Sequence, residues 1–230
     1  MSADAAPCPF GICDGSGFVI DEATNTASDC RCRPLQLANA RARSLEARIP
    51  RKYRDVAFDR WPVTAISPPV VDEVRRYCRE IDARLDEGRG LWLVGDSGTG
   101  KTTLAMLVSK AAIEAKRTTA IYSMPRLMAV LREAIESEDG LLSLLDRLAT
   151  VDLLHIDDLG AEHRTDWVLE QLYSIVNTRY EDERSIVITT NNMPAELEKQ
   201  IGKRTVSRLV EMCGDPLPLF GTDERMVYSA

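Results

Sequence analysis

No apolar run in the 230 residues approaches the length that spans a bilayer. The opening MSADAAPCPF lacks the basic patch and apolar stretch of a secretory leader. Together these absences set the expectation of a reducing cytoplasm and no membrane contact. An excess of positive charge is missing too. The net charge is −7, which speaks against a surface coated with basic residues. Histidine is scarce, with two in the chain. His155 lies between apolar neighbours and reads as a packed or partly exposed strand residue, and His163 carries no assigned chemistry. What is present, 44% hydrophobic and 28% charged residues, suits one ordinary globular domain with an appendage.

The charge is unevenly spread. Residues 1–30 sum to −5, residues 31–60 to +6 and residues 61–230 to −8. The basic island suits a phosphate backbone, an acidic protein face or plain solvation, and charge alone does not separate these.

The most informative stretch is LWLVGDSGTGKTTL, residues 91–104. Gly95, Asp96, Ser97, Gly98, Thr99, Gly100, Lys101 and Thr102 satisfy G-x-x-x-x-G-K-[ST] in full. Successive backbone N–H groups must turn into one concavity to hold phosphate oxygens, and glycine permits so tight a bend. The helix that follows adds unpaired N–H groups and the positive end of its dipole. Lys101 supplies a charge for the β- and γ-phosphates, and the Thr102 hydroxyl is a magnesium ligand. Thr103 is counted with the same nucleotide-binding set. The context fits: Leu91, Trp92, Leu93 and Val94 read as a buried strand, and Leu104, Leu107, Val108, Ala111 and Ala115 recur at helical spacing.

Val151 to Ile156 reads as another buried strand, ending in Asp157 and Asp158. This is the Walker B pattern: Asp157 is expected to hold Mg²⁺, directly or through water, and Asp158 to orient or activate the attacking water. Thr119–Ser123 and Ser185–Thr190 read as further strands, the latter ending in Asn191, which is placed to meet a γ-phosphate or the lytic water. Helices are expected from Pro125, over the stripe Leu141, Leu144, Leu145 and Leu148, and over Thr165–Tyr180. A single helix is expected under Val70, Val74, Tyr77, Cys78, Ile81 and Leu85, with Cys78 in the core and Cys213 structural. Alternating strands and helices predict an α/β fold with a parallel sheet flanked by helices, the nucleotide lying at the carboxyl ends of the strands.

Four of the six cysteines fall in the first 32 residues: Cys8, Cys13, Cys30 and Cys32. In a reducing compartment, C-x-x-x-x-C and C-x-C bracketing a short hairpin point to a closed four-thiolate zinc site. Gly11, Gly15 and Gly17 supply the turns, and Phe18, Val19 and Ile20 one strand. So small a segment draws its folding energy from the metal. Residues 34–49 read as an amphipathic helix carrying Arg41, Arg43 and Arg48, and Arg51–Pro62 as a basic, aromatic linker. The expected organisation is a zinc module over 1–33, a basic helix and linker over 34–66, and the ATPase domain over 67–230.

The order of motifs resembles an AAA+ ATPase. More closely it resembles the bacterial and phage helicase loaders of the DnaC/DnaI type, with the IstB-type transposition ATPases beside them. IPRKYRDVAF (49–58), GLWLVGDSGTGKTTLA (90–105), VDLLHIDDLGAE (151–162), WVLEQLYSIVNTRY (167–180), ITTNNMPAEL (188–197) and GKRTVSRL (202–209) carry the likeness. The resemblance implies an AAA+ P-loop core, the sensor position at Asn191, and an arginine finger at Arg204 reaching a neighbouring subunit's γ-phosphate. Arg208 is a second candidate for that charge or for a structural pair, and Arg225 is a late arginine at the nucleotide. A finger supplied in trans implies an ATP-dependent homo-oligomer. The implied function is loading of a replicative DNA helicase onto single-stranded DNA, using ATP, Mg²⁺ and zinc. The alternatives are an IstB-type transposition helper and an ATP-binding adaptor with weak hydrolysis. The chain departs from the general pattern in having Asp158 where AAA+ proteins use Glu. It has neither N-K-x-D, which a GTPase requires, nor the signature loop of an ABC-type ATPase.

Overall fold

The computed structural model describes residues 8–21, 26–34, 49–136, 140–160 and 164–221. The expected helix over 34–49, with Arg41, Arg43 and Arg48, falls almost wholly outside them, as do His163 and Arg225.

Near the N-terminus, β1 (Phe18–Asp21) pairs antiparallel with β2 (Thr26–Asp29) in the register Phe18 opposite Asp29. Gly11, Gly15 and Gly17 have φ of 61°, 94° and 83°, so the turns around this hairpin use the left-handed region as expected.

The first α-helices of the larger unit are α1 (Pro68–Arg79) and α2 (Ile81–Asp86). A single helix was expected there. Glu80 leaves helical geometry at φ −100° and ψ 19°, and the break turns Ile81 and Leu85 into the core, where both are buried. Then follow β3 (Leu91–Gly95), α3 (Lys101–Glu114), β4 (Thr119–Ser123), α4 (Met124–Ile135), α5 (Gly140–Thr150), β5 (Leu153–Asp157), α6 (Asp166–Glu181), β6 (Ser185–Thr190), α7 (Pro194–Ile201), α8 (Lys203–Cys213) and β7 (Leu217–Leu219). The sheet is parallel throughout, in the order β4-β5-β6-β3-β7. Parallel strands need covering on both faces, which is why β3 and β6 are buried along their whole length.

Alternation along the strands divides the core in two. Trp92, Val94, Leu154, Ile156, Ile186 and Ile188 face one apolar cluster, packed by α4 to α8. Leu91, Leu93, Leu153 and Val187 face the other, with α1, α2 and α3. Val56, Val63 and Ile66 are buried in that second cluster. Residues 51–66, expected as a linker outside the ATPase unit, are therefore part of its core, because their apolar side chains find partners on α1 and α3.

β7 was not foreseen. It is a three-residue edge strand pairing with β3, with Val94 opposite Pro218, and proline is tolerated at an edge. Its approach is close. A Cβ on Gly95 would stand 1.8 Å from the Leu219 carbonyl oxygen, so only glycine fits where β3 enters the loop.

Candidate functional site

β3 ends in the glycine loop, and α3 starts directly after it. Gly98 and Gly100 have φ of 82° and 97°. Gly100 is the residue before the helix, and a Cβ there would lie 2.3 Å from Ile66 Cδ1. The loop is braced from within, as the Thr99 hydroxyl donates to the Asp96 carbonyl at 2.8 Å. Lys101 is buried, and its Nζ donates to the carbonyls of Gly95 at 2.8 Å and Asp96 at 2.6 Å. At the outer edge, the Asp96 N–H donates to the Leu219 carbonyl at 3.2 Å, so the last strand supports the loop from behind.

Strand parity decides what faces α3. His155, Asp157 and Thr189 share the face of Leu153 and Val187. The Thr102 hydroxyl donates to Asp157 Oδ2 at 3.2 Å, and the Thr189 hydroxyl donates to Oδ1 at 2.7 Å. A hydroxyl and a carboxylate this close form a hard oxygen donor set, which fits Mg²⁺. His155 is fully enclosed, with Nδ1 2.9 Å from Ser109 Oγ and Nε2 4.0 Å from Asp157 Oδ1. Burial pushes its pKa down to about 4, so the ring is neutral.

A cleft of about 390 Å³ gathers Ser97 to Thr103 with Asp157, Asp158 and Asn191 on its polar side. Its other wall is Tyr53, Val56, Trp61, Pro62 and Ile66, with Lys52 beside them. Sequence reasoning passed over this wall by reading 51–62 as a linker. The signal was the interleaving of Tyr53, Val56, Phe58 and Trp61 with the basic residues, which a solvated spacer does not need. Trp61 is 56% exposed at the rim, whereas Trp92 is fully buried. ATP is therefore expected to change Trp61 emission, and a fluorescence titration of Trp61→Phe should lose most of the response; an unchanged response would remove this wall from the site.

Arg204 and Arg208 lie elsewhere, lining a second cleft with Tyr173, Lys203 and Ser207. Arg204 is exposed. Arg208 is held in place: its guanidinium lies 4.1 Å from the Tyr180 ring centroid and 3.6 Å from a Glu211 oxygen, and Tyr180 also donates to Glu211 at 2.7 Å. These contacts match the structural pair named as one of the two expectations for Arg208.

In the N-terminal hairpin unit, the sulfurs of Cys8, Cys13, Cys30 and Cys32 all lie within 4.8 Å of one another. Cys8 and Cys30 are 3.9 Å apart, and Cys13 and Cys32 are 3.4 Å apart. Tetrahedral Zn–S bonds of ~2.3 Å set ligand sulfurs about 3.8 Å apart, so the four thiols fit zinc. Backbone N–H groups, that of Cys13 foremost, hold the Cys8 thiol down to about 6, whereas burial pushes Cys32 up.

Residues 83–210 match the family model described as IstB-like ATP binding protein. The chain is 33% identical over 131 residues to the phage-like element PBSX protein XkdC of Bacillus subtilis, covering 54% of this chain and 48% of that protein. It is 25% identical over 143 residues to the replicative helicase loader DnaC of Escherichia coli, covering 60% of this chain and 56% of that one. The chain thus spans about half the length of these curated relatives. Among solved structures, the DnaC helicase loader superposes with a TM-score of 0.63 at 25% identity, covering 75% of this chain and all of that one. DnaI gives 0.60 at 20% identity, covering 77% and 94%. The parallel five-stranded sheet with its glycine loop is the AAA+ P-loop fold, and the chain belongs to the family of IstB-like ATP binding proteins.

Proposed function

We propose that this chain is an ATP-dependent loader of a replicative DNA helicase onto single-stranded DNA, acting in the cytoplasm. The observation that carries the reading is the likeness to the DnaC helicase loader over 75% of the chain, joined to a four-cysteine unit that a bare ATPase does not need.

In this reading the N–H groups of Ser97 to Thr103 and the Lys101 ammonium hold the phosphates. The apolar wall of Tyr53, Val56, Trp61 and Ile66 takes the base. Thr102 and Asp157 would hold Mg²⁺, which when bound neutralises phosphate charge. Asp158 orients the attacking water, and Asn191 senses the γ-phosphate end. Arg204 from a second copy completes the site. Its exposure, and its position in a cleft separate from the chain's own glycine loop, support a role between copies. Arg225 would reach the nucleotide as well. Cys8, Cys13, Cys30 and Cys32 would hold zinc, which supplies folding energy to the hairpin. No helix among the described residues is long and apolar enough to cross a membrane.

Purified protein should carry zinc, and Cys30→Ser with Cys32→Ser should lose it, leave residues 8–34 open to limited proteolysis and spare ATP binding; metal analysis by mass spectrometry checks this. The functional test is capture of the replicative helicase from the same cell or its host. Binding by wild type and its loss in the double cysteine variant would support a loader that docks through the zinc unit. The family match to IstB-like proteins favours a second reading, a transposition helper. No helicase binding with or without ATP, together with capture of a transposase, would establish that reading instead.

A further inference from the structure

The two acids at the end of β5 are held by one hydroxyl, that of Thr189 in the ITTNNMPAEL stretch, to which the sequence assigned no role. Thr189 is fully buried on β6. Its hydroxyl oxygen accepts the Asp158 N–H at 2.9 Å, and the same hydroxyl donates to Asp157 Oδ1 at 2.7 Å. The polarity is forced. A backbone N–H can only donate, so the hydroxyl proton is left for the carboxylate. Oδ1 thereby accepts the Thr189 proton, and Oδ2 is the oxygen turned toward the Thr102 hydroxyl.

The same residue governs the backbone. Asp158 has φ +58°, a left-handed conformation uncommon outside glycine, although aspartate adopts it more readily than most residues. Here the Leu159 N–H donates to the Thr189 carbonyl at 2.8 Å, and the Thr190 hydroxyl donates to the Leu159 carbonyl at 2.6 Å. Three residues at the end of β5 are thus fastened to two at the end of β6. Asn191 follows directly, so its position and that of the acids are fixed by the same bonds.

We infer that Thr189 is the positioning residue of the site: it selects which oxygen of Asp157 faces a magnesium ion and turns Asp158 into the cleft. The inference rests on the ATPase reading above and deepens it. It predicts a specific defect, in metal use and turnover, with nucleotide binding as such intact.

Thr189→Val keeps the branched shape and strand preference but removes the hydroxyl. ATP affinity is measured calorimetrically in EDTA and across a Mg²⁺ titration, and phosphate release is followed in parallel. We expect unchanged affinity in EDTA, a half-maximal Mg²⁺ concentration raised at least about tenfold, turnover lowered by a similar factor, and recovery of both in Thr189→Ser. Thr189→Ala, also lacking the hydroxyl, repeats the test independently of the shape of valine. Wild-type Mg²⁺ dependence in both hydroxyl-free variants would overturn the inference, as would a serine variant as defective as the valine one. A wild-type protein whose ATP affinity ignores Mg²⁺ would instead overturn the ATPase reading and this inference with it.

Discussion

Lys101→Ala should weaken ATP binding by about 100-fold or more, because a buried charge aimed at phosphate contributes ~3 kcal/mol. The side chain reaches into the loop instead of out to solvent: it is 5% exposed, and its Nζ bonds the Gly95 and Asp96 carbonyls. Here it helps hold the loop's own backbone, and in the proposed nucleotide-bound state the same ammonium would face the phosphates. Two effects follow from one substitution. Calorimetry should show the loss of ATP affinity, and the ligand-free variant should melt below wild type because two carbonyls lose a charged donor. Lys101→Met, which keeps the volume, should recover part of the stability and none of the affinity. Full ATP affinity in either variant would contradict the assignment of this loop as the nucleotide site.

Arg179→Met should cost about 3–5 kcal/mol of stability, through loss of a buried guanidinium whose partners stay behind. Arg179 is completely enclosed. It donates to the carbonyls of Leu148 at 2.7 Å, Ala149 at 3.2 Å, Asp152 at 3.2 Å and Ser185 at 2.5 Å. The first two lie in the last turn of α5, where carbonyls lack helical partners and a cation meets the negative end of the dipole. Asp152 precedes β5 and Ser185 begins β6, so one side chain fastens a helix end to two strand starts. Burial, with the like charge of Arg184 second, lowers its pKa to about 9, and it remains charged at neutral pH. Methionine restores the volume and leaves four carbonyls without that donor. Thermal unfolding should drop by roughly 10 °C in a chain of this size. These contacts sit at the opposite end of the strands from Asp157 and Asn191, so ATP affinity measured well below the transition should be unchanged.

Features encoded by neighbouring residues were legible in the sequence. The strand Leu91–Val94, the loop over 95–102 and its helix form one continuous stretch. The strands Thr119–Ser123 and Ser185–Thr190 appear with those bounds, because buried parallel strands are apolar runs closed by polar residues. What was missed depends on residues distant in sequence. Tyr53, Val56 and Ile66 pass for spacer until α1 and α3 are beside them. Leu217-Pro218-Leu219 is too short, and proline too unfavourable, to read as a strand without β3 to pair with. Thr189 looks like any strand threonine until the pairing of β5 with β6, His155 opposite Val187, carried two residues further brings it beside Asp157. Arg208 could not be told apart from Arg204 by spacing, since it is Tyr180 and Glu211 that hold it.

Pro218 has a bearing on how copies of this chain can meet. Leu219 turns its carbonyl inward, where it accepts from Asp96. In a parallel strand the peptide groups of successive residues point to alternate sides, so those of Pro218 point outward. That is where an added strand would seek an N–H donor, and proline has none. The sheet therefore resists being lengthened across β7, and strand-to-strand polymerisation is blocked at this border. A second copy meeting this border would have to be held by side chains instead of a backbone ladder.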